Sequence, residues 1–136
     1  MSRPDPQGLE QLPAHFHRER TTLLAAGFTT WAQVASLPKE QLRVLASTGV
    51  ASEARLLRIH AQARLMATAL LAPEEASLLL HAGIADARAL AESDPQRLQV
   101  QVSRLWQRLL GPSSPPPSLS TVRRWIQAAA SGRSAN

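Results

Sequence analysis

The sequence predicts an all-α fold in which two related helical units pack together and a C-terminal helix closes over them. Aromatic residues make up 4% of the 136 residues and tyrosine is absent, whereas β-strands favour aromatic and β-branched side chains. The hydrophobic content of 44%, mostly leucine and alanine, is enough for a packed core. These apolar residues recur at helical spacing, and glycine or proline separates one apolar stripe from the next.

Helix signals and composition divide the chain into six segments. They are a disordered tail, a first helical unit, a second helical unit, a Pro/Ser linker, a closing helix and a second tail, over residues 1–8, 9–70, 71–111, 112–117, 118–131 and 132–136. The tails are polar and the linker is rich in proline, so we expect none of these three segments to contribute a core.

In the first unit, residues that favour helix starts alternate with glycines that end helices. Pro13 and Pro38 suit the first position of a helix, and Gly27 and Gly49 suit the position just after its end. Thr30, three residues before a glutamine, is a capping-box signature for a short helix. The apolar positions expected on the first helix are Phe16, Leu23 and Leu24.

A longer helix is predicted over about 53–70, with Ser52 as its N-cap. Its apolar face repeats at intervals of three and four residues, at Leu56, Ile59, Ala63, Met66 and Leu70. In the second unit, Pro73 and Asp86 start helices, and Gly83 ends the first of them.

Two further helices complete the prediction. Asp94, followed by proline, opens a helix that runs to about residue 110. Its inward positions are predicted to be Leu98, Val102, Leu105 and Leu109. After the linker, Ser118 caps the closing helix. The apolar side of that helix is predicted to hold Val122, Trp125, Ile126 and Ala129.

A shift of 56 residues lays one part of the sequence over another without gaps. LLAAGFTTWAQVASLPKEQL, which begins at Leu23, lies over LLHAGIADARALAESDPQRL, which begins at Leu79. Each copy is too small to bury its own apolar face, so a duplication predicts that the two copies pack together. The alternative is the ordinary self-similarity of a helical chain rich in alanine and leucine. The residues predicted to be structural are Gly27, Gly83, Trp31 and Trp125.

Three segments stand in a fixed order between residues 42 and 129. They are LASTGVASEARLLRIHAQARLM from Leu45 to Met66, AGI from Ala82 to Ile84 with ALAESDPQRL after it, and PSLSTVRRWIQAA from Pro117 to Ala129. Together they resemble a poorly characterised tandem helix-hairpin-helix family of bacteria and chloroplasts, catalogued as a domain of unknown function. The resemblance implies that both helical units are of helix-hairpin-helix type.

Helix-hairpin-helix elements in general imply nucleic acid binding without sequence specificity. A glycine-containing hairpin presents backbone N–H groups to a phosphate, beside a helix N-terminus. The residues that match this place are Thr48, Gly49, Val50, Ala51 and Ser52. The sequence departs from the pattern at Pro13 and Pro73, because proline lacks the N–H that a phosphate would need. One hairpin remains intact, and the departures favour a protein-binding role as the alternative.

The positive charge also suggests a phosphate partner. The formal net charge is +5, and almost all of the cations are arginine, whose planar fork suits phosphate oxygens. The residues predicted to bind nucleic acid are Thr48, Gly49, Val50, Arg55, Arg58, Arg97, Arg104 and Arg108. Arg123 and Arg124 would extend a basic surface if the closing helix packs alongside. The alternative interpretation is a set of solvated arginines on the outer faces of amphipathic helices.

We therefore expect a non-enzymatic binding module that contacts DNA or RNA with low specificity. The alternative function is a protein–protein adaptor that has lost nucleic acid binding. No cysteine is present, the histidines are poorly spaced for a metal, and no catalytic constellation stands out. We accordingly predict no catalytic residue, no metal and no cofactor. The start of the chain has no apolar stretch and no window is apolar enough to cross a bilayer, so the prediction is a cytoplasmic protein without a membrane partner.

Overall fold

The computed structural model describes residues 8–134, apart from the side chains of Gln11 and residues 132–134. Over these residues the chain forms helices and no strand, which confirms the all-α prediction. Two short 3₁₀ helices, Leu9–Gln11 and Ala14–Phe16, precede the α-helices. The α-helices are α1 His17–Ala25, α2 Trp31–Ala35, α3 Lys39–Ala46, α4 Glu53–Ala69, α5 Pro73–His81, α6 Ala87–Ala91, α7 Pro95–Leu110 and α8 Leu119–Ser134.

The chain divides into two compact units, Met1–Arg64 and Leu65–Asn136. This division falls within α4, a helix of 17 residues. The segment bounds predicted from the sequence, with the first unit ending at residue 70, stay a prediction. The expected disordered tail over residues 1–8 lies outside the described residues, except for Gly8, which forms an isolated bridge with Thr30.

In the first unit, turn chemistry sets the order of the helices. Gly27 has φ +93°, a left-handed conformation that glycine adopts cheaply, and it ends α1 as predicted. The capping box of α2 is complete, because the Thr30 hydroxyl accepts the Gln33 N–H and the Gln33 side chain accepts the Thr30 N–H. The buried apolar residues of this unit are Leu9, Leu12, Phe16, Leu23, Trp31, Val34, Ala35, Leu37, Leu42, Ala51, Leu56, Ile59 and Ala63.

In the second unit, α8 packs against α6 and α7, and α5 packs against α7. The Asp86 and Asp94 carboxylates accept backbone N–H groups at the starts of α6 and α7, as their N-cap positions predict. The buried apolar residues of this unit are Leu65, Met66, Ala69, Leu71, Ala76, Leu78, Leu79, Leu90, Leu98, Val102, Val122, Trp125 and Ala129.

Three leucines predicted to be buried are exposed. Leu24 is 38% exposed, since Leu23 takes the inward position of α1. Leu70 is 84% exposed, because it lies beyond the last residue of α4 with φ +56° and has left the helical face. Leu109, in the last turn of α7, is 57% exposed, while Leu98 and Val102 nearer the start of that helix are buried.

The closing helix is longer than predicted. It was expected over residues 118–131 with a tail at 132–136, but α8 continues to Ser134. Residues 128–130 are all alanine, the strongest helix former, and they favour continuation of the helix. Residues 135–136 lie outside the described part of the chain.

The two segments aligned by the 56-residue shift end their first helices in matching turns. Gly83 has φ +90°, close to the value at Gly27, and it ends α5. The Phe28 N–H donates to the Leu23 carbonyl at 2.9 Å, and the Ile84 N–H donates to the Leu79 carbonyl at the same distance. These are the bonds that satisfy the last carbonyls of a helix after a left-handed glycine. Both copies therefore end their first helix in the same way.

Candidate functional site

The hairpin between α3 and α4 projects its tip into solvent. Thr48, Gly49 and Val50 are all exposed, and Gly49 has φ +80°. The Gly49 N–H donates to the Ala46 carbonyl at 3.1 Å, so that amide already completes the end of α3.

A buried carboxylate occupies the side of this hairpin that leads into α4. The side chain of Glu19, on α1, is 2% exposed. Its Oε2 accepts the Ser52 N–H at 2.9 Å, and its Oε1 lies 4.0 Å from Nη1 of Arg55. The backbone N–H and the guanidinium that sequence reasoning assigned to a phosphate therefore face a carboxylate of the same chain.

Arg55 and Arg58, the two arginines in the first turns of α4, are also engaged or partly covered. Nη1 of Arg55 donates to the His15 carbonyl at 2.8 Å. Arg58, one turn further along α4, is half-buried and has interactions of its own. The structure thus brings Ser52 and Arg55 together, as predicted, but their shared ligand is internal.

Sequence reasoning missed Glu19, which lies in a run of charged residues that is typical of an exposed helix start. A signal was nevertheless present. Phe16, Glu19 and Leu23 stand at i, i+3 and i+7, so the carboxylate is on the apolar stripe of its helix. A charged residue at such a position is expected to have a partner, because burying an unpaired charge is costly.

The second basic cluster lies on α7 and is called here the arginine face, defined as Arg97, Arg104 and Arg108. All three side chains are exposed. They line an open groove of about 940 Å³ in the second unit. The other lining residues are His81, Asp94, Gln96, Val100, Gln101 and Leu105.

The arginine face holds its charges in a row. From Arg97 to Arg108 the helix rises by roughly 16 Å, and the three residues fall on one side of it. Within residues 8–134 no side-chain hydrogen bond or ion pair engages any of these three guanidiniums. Like charges at this spacing repel one another slightly, so an anion laid along the row would relieve repulsion as well as form new bonds.

Two polar residues of the groove have structural roles. Asp94 is the one acid among the lining residues, and its Oδ2 accepts the Arg97 N–H at 2.9 Å as the cap of α7. Nε2 of Gln101 donates to the Ala82 carbonyl at 3.0 Å. Neither group offsets the charge at the Arg104 end of the groove. The lining thus presents arginine over most of its length.

Arg123 and Arg124 are exposed on α8, which does pack against α7. Neither residue lines the groove beside the arginine face. Their suggested extension of the basic surface therefore stays a prediction.

The predicted structural tryptophans Trp31 and Trp125 are buried, with 3% and 1% exposure. Trp106 is half-buried. Trp106 belongs to α7 but is not among the residues that line the groove of the arginine face.

His60, on α4, is a core residue with 4% exposure. Its Nε2 lies 2.8 Å from the Leu37 carbonyl, an acceptor, so this nitrogen carries the proton. Burial lowers the pKa of His60 below the usual 6.5, and the Leu37 hydrogen bond opposes this effect in part. The nearby charges of Arg64 and Lys39 lower the pKa by smaller amounts. Its environment is that of a neutral structural histidine.

The described residues contain neither a metal cluster nor a membrane-spanning helix. No group of three or more histidine, cysteine or acidic side chains there is placed to hold a metal ion. In the same part of the chain, every helix is too short or too polar to cross a bilayer.

The chain matches the model of a protein family. The model of a family described as a domain of unknown function, DUF4332, matches residues 13–131, which is most of the chain. No curated protein and no solved structure matches significantly.

Proposed function

The chain belongs to the DUF4332 family, and we propose that it binds the phosphate backbone of nucleic acid through the arginine face of α7. Binding is without catalysis and without sequence specificity. The observation that carries the proposal is the row of three exposed guanidiniums, without side-chain partners among residues 8–134, along an open groove. Guanidinium groups form strong charge-assisted hydrogen bonds to phosphate oxygens.

The length of the row suits a polymer of phosphates. Arg104 and Arg108 are separated by about 6 Å along the helix axis and Arg97 lies about 10 Å further back. A row of roughly 16 Å corresponds to about five base-pair steps of a duplex at 3.4 Å each. A single small anion would engage one end of such a row, whereas a nucleic acid strand engages all of it.

The proposed binding surface is the arginine face of α7 and not the hairpin at Gly49. There the Ser52 N–H and the Arg55 guanidinium are bonded within the chain, to Glu19 and to the His15 carbonyl. An external phosphate would have to displace those partners. On the arginine face, no such displacement is needed.

The number of phosphates contacted predicts how steeply the binding affinity falls with salt. Neutralising three phosphates of duplex DNA gives a slope of about −2.7 in a plot of log K against log salt. Raising the salt fourfold, from about 50 to 200 mM, should then weaken binding about 40-fold.

The test is the anisotropy of labelled mixed-sequence DNA and RNA, single- and double-stranded, at low salt. The variant Arg97→Gln/Arg104→Gln/Arg108→Gln should lose most of the binding and most of the salt slope, because the phosphates lose their partners. The matched control, Arg18→Gln/Lys39→Gln/Arg43→Gln, removes the same charge from exposed positions of the first unit. It should bind nearly as the unmodified chain does. Absence of binding at micromolar protein, or an equal loss in both variants, would refute the proposal.

A second candidate function is a protein-interaction adaptor. It is favoured by exposed apolar side chains on the same helix, where Val100 is 47% exposed, Leu109 57% and Leu110 52%. Apolar residues beside arginine are typical of protein interfaces.

Affinity capture after nuclease treatment separates the two candidates. Under the adaptor hypothesis, partners persist after nuclease and are lost when Leu109 and Leu110 are changed to Gln. Under the nucleic acid hypothesis, captured proteins disappear with the nuclease, and the leucine variant retains DNA binding.

A further inference from the structure

We infer that the N-terminus of α4 is an anion site whose ligand is the chain's own Glu19 carboxylate. The site would take an inorganic phosphate or a phosphate ester if the carboxylate were removed, and it is closed to them in the natural chain. The first unit then contributes no phosphate contact at its hairpin. This inference does not depend on the arginine face.

The donors of the site are in place. Ser52 directly precedes Glu53, the first residue of a helix of 17 residues, and its N–H points to Glu19 Oε2 at 2.9 Å. The N-terminus of such a helix carries a partial positive charge that favours an anion. The Arg55 guanidinium adds a full charge, with Nη1 at 4.0 Å from Glu19 Oε1.

The second observation is the burial of the ligand itself. Glu19 is 1% exposed, and its Oε1 has no hydrogen-bond partner in the described part of the chain. A carboxylate is not held in the interior without compensation, since an uncompensated buried charge is strongly destabilising. The compensation available here is the helix N-terminus and Arg55, which is the environment that a phosphate would require.

The residue that the 56-residue shift aligns with Glu19, four positions before the aligned segments, gives a comparison. The shift of 56 residues places Glu19 over Glu75. Oε1 of Glu75 accepts the Ala72 N–H at 2.8 Å, at the start of its own helix. The two carboxylates thus satisfy backbone donors near helix N-termini in different ways. Glu75 acts locally, whereas Glu19 reaches Ser52, which lies 33 residues later in the chain, just before α4.

An anion has a route to the site. The Arg55 side chain is 52% exposed and Ser52 is exposed, so solvent lies directly beside the buried carboxylate. The variant Glu19→Ala would remove the carboxylate and the Cγ methylene group and open this space on the Arg55 side.

The experiment measures the thermal stability of Glu19→Ala in inorganic phosphate and in chloride of equal ionic strength. Phosphate should raise the Tm of this variant saturably, by about 4 °C or more beyond its effect on the controls, because it binds the folded chain alone. One control is Glu19→Gln, which fills the space and still accepts from Ser52. The other is Leu23→Ala, a cavity at a fully buried position of the same helix. These controls remove the general stabilisation that phosphate gives any protein.

The Ser52 amide resonance gives a second measurement. It should shift saturably with phosphate in Glu19→Ala and stay still in the natural chain. If Glu19→Ala is unfolded in chloride, phosphate should restore its helical circular dichroism. The inference is overturned if Glu19→Ala remains unfolded in phosphate, or if phosphate raises its Tm no more than it raises the Tm of the controls. A saturable Ser52 shift in the natural chain also overturns it, because the site would then be open.

Discussion

The burial of His60 predicts that the protein loses stability as the pH falls below neutrality. The imidazole is 4% exposed and donates through Nε2 to the Leu37 carbonyl at 2.8 Å. Protonation would place a charge in the core near Arg64 and Lys39, so burial and those cations keep the folded-state pKa below 6.5. The unfolded chain therefore binds the proton more readily than the folded chain does.

The sign and size of the effect follow from proton linkage. Because the folded-state pKa is lowered, the stabilisation is fully present above pH 6.5 and is lost as the pH falls through the folded-state pKa. A single proton limits the slope to about 1.4 kcal/mol per pH unit. For a chain of this length, that slope is about 5 °C of Tm per pH unit at most.

The assay is urea unfolding of the natural chain and of His60→Gln at several pH values from neutral to mildly acidic. The glutamine amide can donate to the Leu37 carbonyl but does not titrate, so the other titrating groups are common to both proteins. We expect the stability of the natural chain to fall more steeply than that of the variant. Parallel pH profiles would show that His60 is not the buried titrating group and would refute the reasoning.

Two further predictions concern backbone conformation, and both are checked by urea unfolding with circular dichroism. Gly27→Ala and Gly83→Ala should each cost about 1–2 kcal/mol, because both glycines have positive φ and an added Cβ would meet nothing within 4 Å; unequal costs would argue against equivalent turns. Leu70→Gly should raise stability by about 0.5–1 kcal/mol, since this leucine has φ +56° and is 84% exposed. A loss of stability would mean that the Leu70 side chain makes stabilising contacts despite its exposure.

Local rules were sufficient for most of the fold. Proline, glycine and capping residues act within a few positions of the chain, so the starts and ends of the helices followed from sequence. Thr30 with Gln33, and Asp86 and Asp94, cap the predicted helices. The matching turns at Gly27 and Gly83 were also predictable, because a glycine just after a helix favours the left-handed conformation.

Burial near helix ends was less predictable. Leu70 and Leu109 continue apolar stripes by spacing alone, yet one has left its helix and the other lies in a last turn that is exposed. Spacing specifies which side of a helix a residue faces. It does not specify how far along the helix the neighbouring elements extend.

The candidate site could also be predicted from the sequence only in part. The arginine face follows from helical spacing, and the structure brings its three residues to one groove. The partner of the Gly49 hairpin did not follow, because Glu19 and Ser52 are 33 residues apart and meet only through the fold. The spacing of Glu19 from Phe16 and Leu23 indicates a buried carboxylate but not the donor that it binds.

The most direct measurement is an NMR titration of the protein with a short DNA duplex at low salt, following side-chain guanidinium resonances. We predict saturable shifts for Arg97, Arg104 and Arg108, together with the backbone amides of α7, while Arg55 and the Ser52 amide stay unchanged. Shifts confined to the start of α4, or no saturable shift at any arginine, would contradict the account.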